Sequence, residues 1–414
     1  MSLPYPPPLV TGPLNIARIE GSVDGIKKIM YLYFDIHLPL DTQTECLDPI
    51  NSLSIVQHFV SMFRACHEND PNKKFDLFVE YHPLYHPLNV KYGATGIYIK
   101  DVKKLLKKQF TIDKNTLKII RKNTEDFNNV RLHYTDFRPI FYPDDIEDLA
   151  DRMSNITDAP PESIMAKQLS LLKSSLNVFE NLTSILYKSL VEGQDLYSEK
   201  EDKQIVATTY KKRDYFAIIM RDFVTKILNK YQHSSVKNKI KEILIDYYGP
   251  IVERRLKDIL NTIKDADVFI KNPVFQNTSY LYHNDSGLMY SKGGRTTNDV
   301  RQLRHYLNKV AKLIGEVRVD IDLMDLYVLR RFLDKDYIQT AILYSGSFHS
   351  INTIRYLVKY FDFKLTHLAN PSASMDEINE KIKASKNYNE LSDYFFPKIM
   401  LQCSDMSTFP KYYE

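Results

Sequence analysis

The residues from Gln339 to His367, QTAILYSGSFHSINTIRYLVKYFDFKLTH, constrain the fold more than any other stretch. The apolar run Thr340 to Tyr344 suits a buried strand, and it halts at Ser345-Gly346-Ser347-Phe348-His349, a tight turn. Ile351, Ile354, Leu357, Val358 and Phe361 then recur at helical spacing, and a second short strand, Phe363 to Leu365, follows. Strand, helix and strand in that order make a βαβ unit. Its turn presents His349 at the carboxyl edge of the first strand, where open α/β sheets hold their ligands.

The first third of the chain repeats this grammar. Residues 26–36, IKKIMYLYFDI, read as a strand that ends at Asp35-Ile36-His37. Ile55, Val56, Phe59, Val60 and Phe63 mark a helix that Asn69-Asp70-Pro71-Asn72 breaks. Phe75 to Val79 is a second strand, ending on Glu80 before a proline-rich loop; a helix fills part of Ile99 to Arg121. Val130 to Tyr134 is a third strand, leading to Asp136 and Arg138. This alternation predicts an α/β fold with a mostly parallel sheet flanked by helices. Strand signal then vanishes. Asp158-Ala159-Pro160-Pro161-Glu162 is a helix start, and Met165, Leu169, Leu172, Leu176, Phe179, Leu186 and Leu190 share one face. The expected organisation is an extended arm (1–25), a first α/β half (26–158), a long all-helical insertion (159–268), a second α/β half (269–372) and a loosely packed tail (373–414).

Charge and cysteine content narrow the setting. Lys and Arg number 56 against 52 Asp and Glu, a net charge of +4 with no long basic run, so no nucleic-acid partner is expected. Protein partners are expected instead, through the helical block and the proline-rich arm. Cys46, Cys66 and Cys403 are widely scattered with no pair at metal spacing, which predicts free thiols in a reducing, cytoplasmic compartment. No stretch reaches the ~18 apolar residues of a membrane span. The opening MSLPYPPPLVTGP lacks the pattern of a signal peptide. No Trp against 29 Tyr, with abundant Lys, Asn and Ile, is a bias of AT-rich genomes, large DNA viruses among them. A virion component is one expectation that follows.

Asp35, His37, Glu80 and His349 are the candidate catalytic residues, with Asp136 and Arg138 beside them, because each stands at the end of a strand. Imidazoles and carboxylates converging on one crevice suit general acid/base work on water, or a divalent metal held by His37, Glu80 and His349. The motifs Phe34-Asp35-Ile36-His37, Phe78-Val79-Glu80 and Gly346-Ser347-Phe348-His349 resemble those of the erythromycin-esterase / TIKI / ChaN-like superfamily. In that family a strand ends in an acid-x-His motif, a second in Glu, and a later one in a Gly-x-x-His turn. The resemblance implies a hydrolase-like site at Asp35, His37, Glu80 and His349, in a family of esterases, metal-dependent proteases and haem-binding proteins. Phe34 stands where the family has glycine, and Asp35 where it has glutamate. The competing expectation is a non-catalytic structural or interaction protein that keeps an enzyme-like sheet.

Overall fold

The computed structural model describes residues 7–36, 42–81, 97–113, 118–122, 127–136, 231–245 and 319–414, with isolated positions between 257 and 309. The chain forms two compact units, one of Met1–Asp136, Asn229–Ile243 and Asp322–Glu414, the other of Phe137–Leu228 and Leu244–Ile321. The described residues belong mostly to the first. Nearly all of the expected helical insertion, with its leucine stripe, lies outside the described residues.

In chain order the described strands and helices are β1 (Leu9–Thr11), β2 (Asn15–Val23), β3 (Ile26–Asp35), β4 (Ser52–Ser54), α1 (Ile55–Asn69), β5 (Phe75–Val79) and α2 (Ile97–Gln109). There follow β6 (Phe110–Ile112), β7 (Ile119–Arg121), β8 (Val130–Tyr134), α3 (Ser234–Ile243), β9 (Tyr282–His283), β10 (Met289–Tyr290) and α4 (Val319–Leu333). The last are β11 (Thr340–Gly346), α5 (Ser347–Phe361), β12 (Lys364–Leu368), α6 (Met375–Ala384), α7 (Ser392–Phe395) and β13 (Cys403–Asp405).

Six strands form the central sheet in the order β12-β2-β3-β11-β5-β8. Strands β3, β11, β5 and β8 are mutually parallel, whereas β2 runs antiparallel to both β3 and β12. With the antiparallel pairs β1–β13, β6–β7 and β9–β10 added, the sheets are mixed, which corrects the expectation of a mostly parallel one. The reason is local. Asp24, at φ 47°, and Gly25, at φ 84°, turn β2 straight back into β3 as a hairpin. Residues 9–23, read as part of an arm, thus supply β1 and β2.

Both faces of the sheet are covered, so its central strands are apolar throughout. On one face Tyr31, Tyr33, Leu77, Val79, Ile342 and Tyr344 pack against α1 and α2. Helix α1 starts with a capping box of Ser54 and Gln57 and buries Phe59, Met62 and Phe63 on that face. Helix α5 packs on the opposite face, where the ring of Phe363, just past its end, lies so close to Gly21 that a Cβ there would stand 2.5 Å away. The buried Asp76 of β5 is satisfied by Arg131, through its Nε at 2.9 Å, and by His133 at 2.7 Å, which ties β5 to β8. Lys28 of β3 is also buried. Its ammonium donates to the carbonyls of Phe332, Lys335 and Ile338 at 3.0, 2.9 and 2.8 Å, fixing the end of α4, and burial pushes its pKa down to about 8.

Two expectations about the ends of the chain are corrected. The tail is well packed. Tyr413 is fully buried, its hydroxyl 2.7 Å from that of Tyr33, which in turn meets His58 Nε2 at 2.9 Å. Burial lowers the His58 pKa to about 3, so this histidine is a neutral core residue. The cysteines are not all free. Cys46 and Cys403 form a disulfide with Cα atoms 4.9 Å apart, and Cys66 is the free, buried thiol. Strand β1, lying between β4 and β13, brings the two together across 357 positions of sequence, which spacing alone could not reveal.

The bridge should stabilise the fold chiefly by restricting the unfolded chain. Cys403→Ser should lower the unfolding free energy by on the order of 5 kcal/mol at most, seen as a lower denaturant midpoint, without changing native circular dichroism. The check is urea unfolding of both proteins, with wild type repeated under reductant as the internal comparison.

Candidate active site

The connections define a switch in the sheet. From β3 the chain passes through α1 to β5 and then β8, on one side of β11. From β11 it passes through α5 to β12, on the other side, and the two sets of helices cover opposite faces. Such a reversal leaves a crevice at the carboxyl ends of the strands that flank it. Here those strands are β3, β11 and β5, and Asp35, Gly346 and Glu80 mark their ends.

Glu80 and His349 meet at this edge. Val79 points to the α1/α2 face, so strand alternation turns Glu80 toward the α5 face. Its Oε2 accepts the backbone N–H of Gly346 at 2.6 Å. Gly346 is the N-cap of α5, so this carboxylate from the neighbouring strand takes the donor just ahead of the helix, at the positive end of its dipole. The other oxygen, Oε1, lies 3.6 Å from Nε2 of His349. That is beyond a direct hydrogen bond.

The opposite nitrogen of the ring is held by a residue the sequence reading missed. Nδ1 of His349 lies 2.8 Å from Oδ1 of Asp325 on α4, and Oδ2 of Asp325 accepts from Asn352 Nδ2 at 2.7 Å. Burial raises the Asp325 pKa to about 6, with His349 and Asn352 pulling the other way. The Asp325 carboxyl therefore keeps its proton to a higher pH than an ordinary aspartate. Asn352 was open to inference, since it follows His349 by one helical turn on the same face. Asp325 sits in the apolar run DLMDLYVLRRFL, and nothing local to that run marks its acid as a partner of His349.

The remaining candidates fall elsewhere. Asp35 pairs in register with Gly346, and its backbone carbonyl accepts the Ser347 hydroxyl at 2.8 Å. Its carboxylate faces the α1/α2 side, next to the phenol of Tyr344, whose pKa is held well above its ordinary value by burial and then by Asp35. Tyr98 of α2 is pushed up to about 12 by burial, Glu45 and Asp35. Asp35 and the Glu80–His349–Asp325 cluster thus occupy the same edge on opposite faces. Asp136 is buried at the end of β8, after Thr135, whose hydroxyl donates to the Val79 carbonyl at 3.0 Å. His37 and Arg138 lie outside the described residues.

Of the metal set expected from the sequence, Glu80 and His349 come together and His37 lies outside the described residues. His349 Nδ1 is taken by Asp325 and Glu80 Oε2 by Gly346. Among the described residues no group of three or more His, Cys, Asp or Glu side chains could hold a metal ion. Nor, among them, is any helix long and apolar enough to cross a membrane.

Fold and site together define a mixed α/β protein with a buried acid/base cluster at the switch of its sheet. The chain belongs to a family of unknown function, DUF5847, whose model it matches over residues 8–414. It is similar to three proteins of Acanthamoeba polyphaga mimivirus, each described as uncharacterized. The first is 31% identical, over 98% of this chain and 97% of the relative; the other two are 29% identical, covering 98% and 97% of this chain and 98% and 96% of their own lengths. These relatives come from a large DNA virus, the kind of source the composition suggested. The family matched is not the erythromycin-esterase group that the short motifs resemble. No solved structure matches the chain.

The shift of Asp325 has a definite sign. A carboxyl whose pKa rises on folding binds more protons in the native state between about pH 4 and pH 6, so stability falls as pH rises through that window. Asp325→Asn should flatten this part of the profile. Urea midpoints measured at intervals across it provide the check; an unchanged slope would remove Asp325 as the titrating group.

Proposed function

We propose that the Glu80–His349–Asp325 cluster is the acid/base centre of a hydrolase. His349 exchanges a proton through Nε2 with a bound water. Asp325 holds the ring through Nδ1 and stabilises the imidazolium that forms. Glu80 orients the water from the other side. One observation carries this reading: an imidazole held by the Asp325 carboxylate at 2.8 Å on Nδ1 has the Glu80 carboxylate 3.6 Å from its Nε2. The position at the switch of the sheet supports it, as does the resemblance of Phe78-Val79-Glu80 and Gly346-Ser347-Phe348-His349 to hydrolase motifs. Asp35 stands outside the proton relay in this reading, beside Tyr344.

A second reading has its own support. Glu80 is only 4% and His349 only 5% exposed, and Glu80 already accepts the Gly346 N–H just ahead of α5. The cluster would then be a clasp between α4, α5 and β5 in a non-catalytic protein, in keeping with a virion component. Of the surfaces expected to make contacts, nearly all of the helical block (159–268) and the first six residues of the arm (1–25) lie outside the described residues.

An ester and amide panel separates the two. Wild type should turn over at least one class, and His349→Ala or Glu80→Gln should reduce its rate by about 10²–10⁴-fold. If both variants match wild type in rate, or if wild type never exceeds buffer while the variants only melt earlier, the clasp reading stands and the hydrolase does not.

A further inference from the structure

The near-neutral charge of the whole chain conceals a concentrated basic surface. Between residues 97 and 122 stand Lys100, Lys103, Lys104, Lys107, Lys108, Lys114, Lys118, Arg121 and Lys122, against Asp101 and Asp113 alone. The remainder of the chain, taken without this segment, is net acidic. The fold gathers those among the described residues, which leave out Lys114. Helix α2 buries Ile99, Val102, Leu105 and Leu106 in the core, which sets its lysines on the other side. The helix runs directly into the hairpin β6–β7, whose far strand folds back on it: Lys122 donates its backbone N–H to Gln109 O at 2.8 Å and its ammonium to Lys107 O at 2.6 Å. Lys104, Lys108, Lys118, Arg121 and Lys122 are all exposed.

We propose that this ridge binds a nucleic-acid backbone without reading its sequence. Lysines one helical turn apart along α2 present positive charge every ~6 Å, a repeat that suits a regular polyanion. A groove of about 580 Å³ beside the ridge, lined in part by Lys104, Lys108, Ser52 and Gln57, adds the Ser52 hydroxyl and the Gln57 amide N–H for phosphate oxygens. Asp101, which pairs with Lys104 at 2.9 Å, and Glu45 also line it, and they confine the attraction to the outer side of the ridge. Among the described residues of this segment no aromatic ring is exposed, so binding rests on phosphates rather than on stacked bases. A membrane surface fits less well. The apolar side of α2 is spent in the core, and the fully exposed Leu47 and Ile50 share their loop with Glu45 and Asp48, which an anionic bilayer repels.

The test is fluorescence anisotropy of the full chain with a labelled DNA duplex of about 20 base pairs and a single strand of the same length. Affinity should be indifferent to sequence and should fall roughly a hundredfold between about 50 and 200 mM salt, as about four phosphate contacts require. Lys104→Glu, Lys108→Glu and Lys118→Glu together should weaken binding at least tenfold. A control carrying Lys237→Glu, Lys381→Glu and Lys383→Glu, with the same change in net charge, should stay within about twofold of wild type. Equal melting curves would show that both variants fold. The proposal is overturned if neither nucleic acid binds at the lower salt, if both variants lose affinity alike, or if phosphatidylserine vesicles or polyglutamate compete as well as unlabelled DNA.

Discussion

The insertion of β11 between β3 and β5 is the constraint on which the rest of the structure depends. Tyr344 of β11 lies opposite Tyr33 on one side and Val79 on the other, so segments about three hundred positions apart share one ladder. Closing so long a loop costs only slowly more entropy than closing a short one, whereas a buried strand made of Ala341, Ile342, Leu343 and Tyr344 gains apolar contact on both faces. Without β11 the two sides of the sheet have no common centre. The switch point, the N-terminus of α5 and the meeting of Glu80 with His349 all vanish with it.

Polar groups placed inside such a fold must find partners, and here they find them across elements. Glu80 reaches from β5 to the first residues of α5, and Asp325 reaches from α4 to the same helix. Asp76 is matched by Arg131 and His133, and Lys28 by three carbonyls. Each of these ties would leave a buried charge unpaired if one partner were removed, which is far more costly than the net gain of the pair. They therefore specify which helix lies over which strand more than they add stability.

Much of this was legible in the sequence, and the rest was hidden for physical reasons. The strands at Ile26–Asp35, Phe75–Val79 and Thr340–Gly346 are buried over most of their length and read as apolar runs, and the edge strand Val130–Tyr134 reads through its alternation. Helices α1 and α5 showed through their 3.6-residue period. Glu80 and His349 could be paired in advance because strand ends converge in parallel sheets. Asp325 could not, since it lies in mid-helix and its partner depends on how α4 packs. The Cys46–Cys403 bridge and the burial of Tyr413 depend on the small β4-β1-β13 sheet, whose three-residue strands carry almost no periodic signal. The β2–β3 hairpin escaped for another reason. Its proline-rich approach suggested an arm, although Asp24-Gly25 is a strong turn signal.

The geometry at His349 is settled partly at the far end of the molecule's own strands. Lys28, near the start of β3, binds the carbonyl of Phe332 in the last turn of α4 and two carbonyls of the loop that leads to β11. That fixes the axial position of α4, and Asp325 lies two turns back along the same helix. A slip of α4 by one residue would move the Asp325 carboxylate ~1.5 Å along the axis and turn it by ~100°. The bond to Nδ1 would not survive that change. An ammonium with a pKa of about 8 remains mostly charged at neutral pH, so its three bonds persist there. One buried lysine in a strand thus sets the register of a helix, and through it the contact that holds the histidine at the opposite edge.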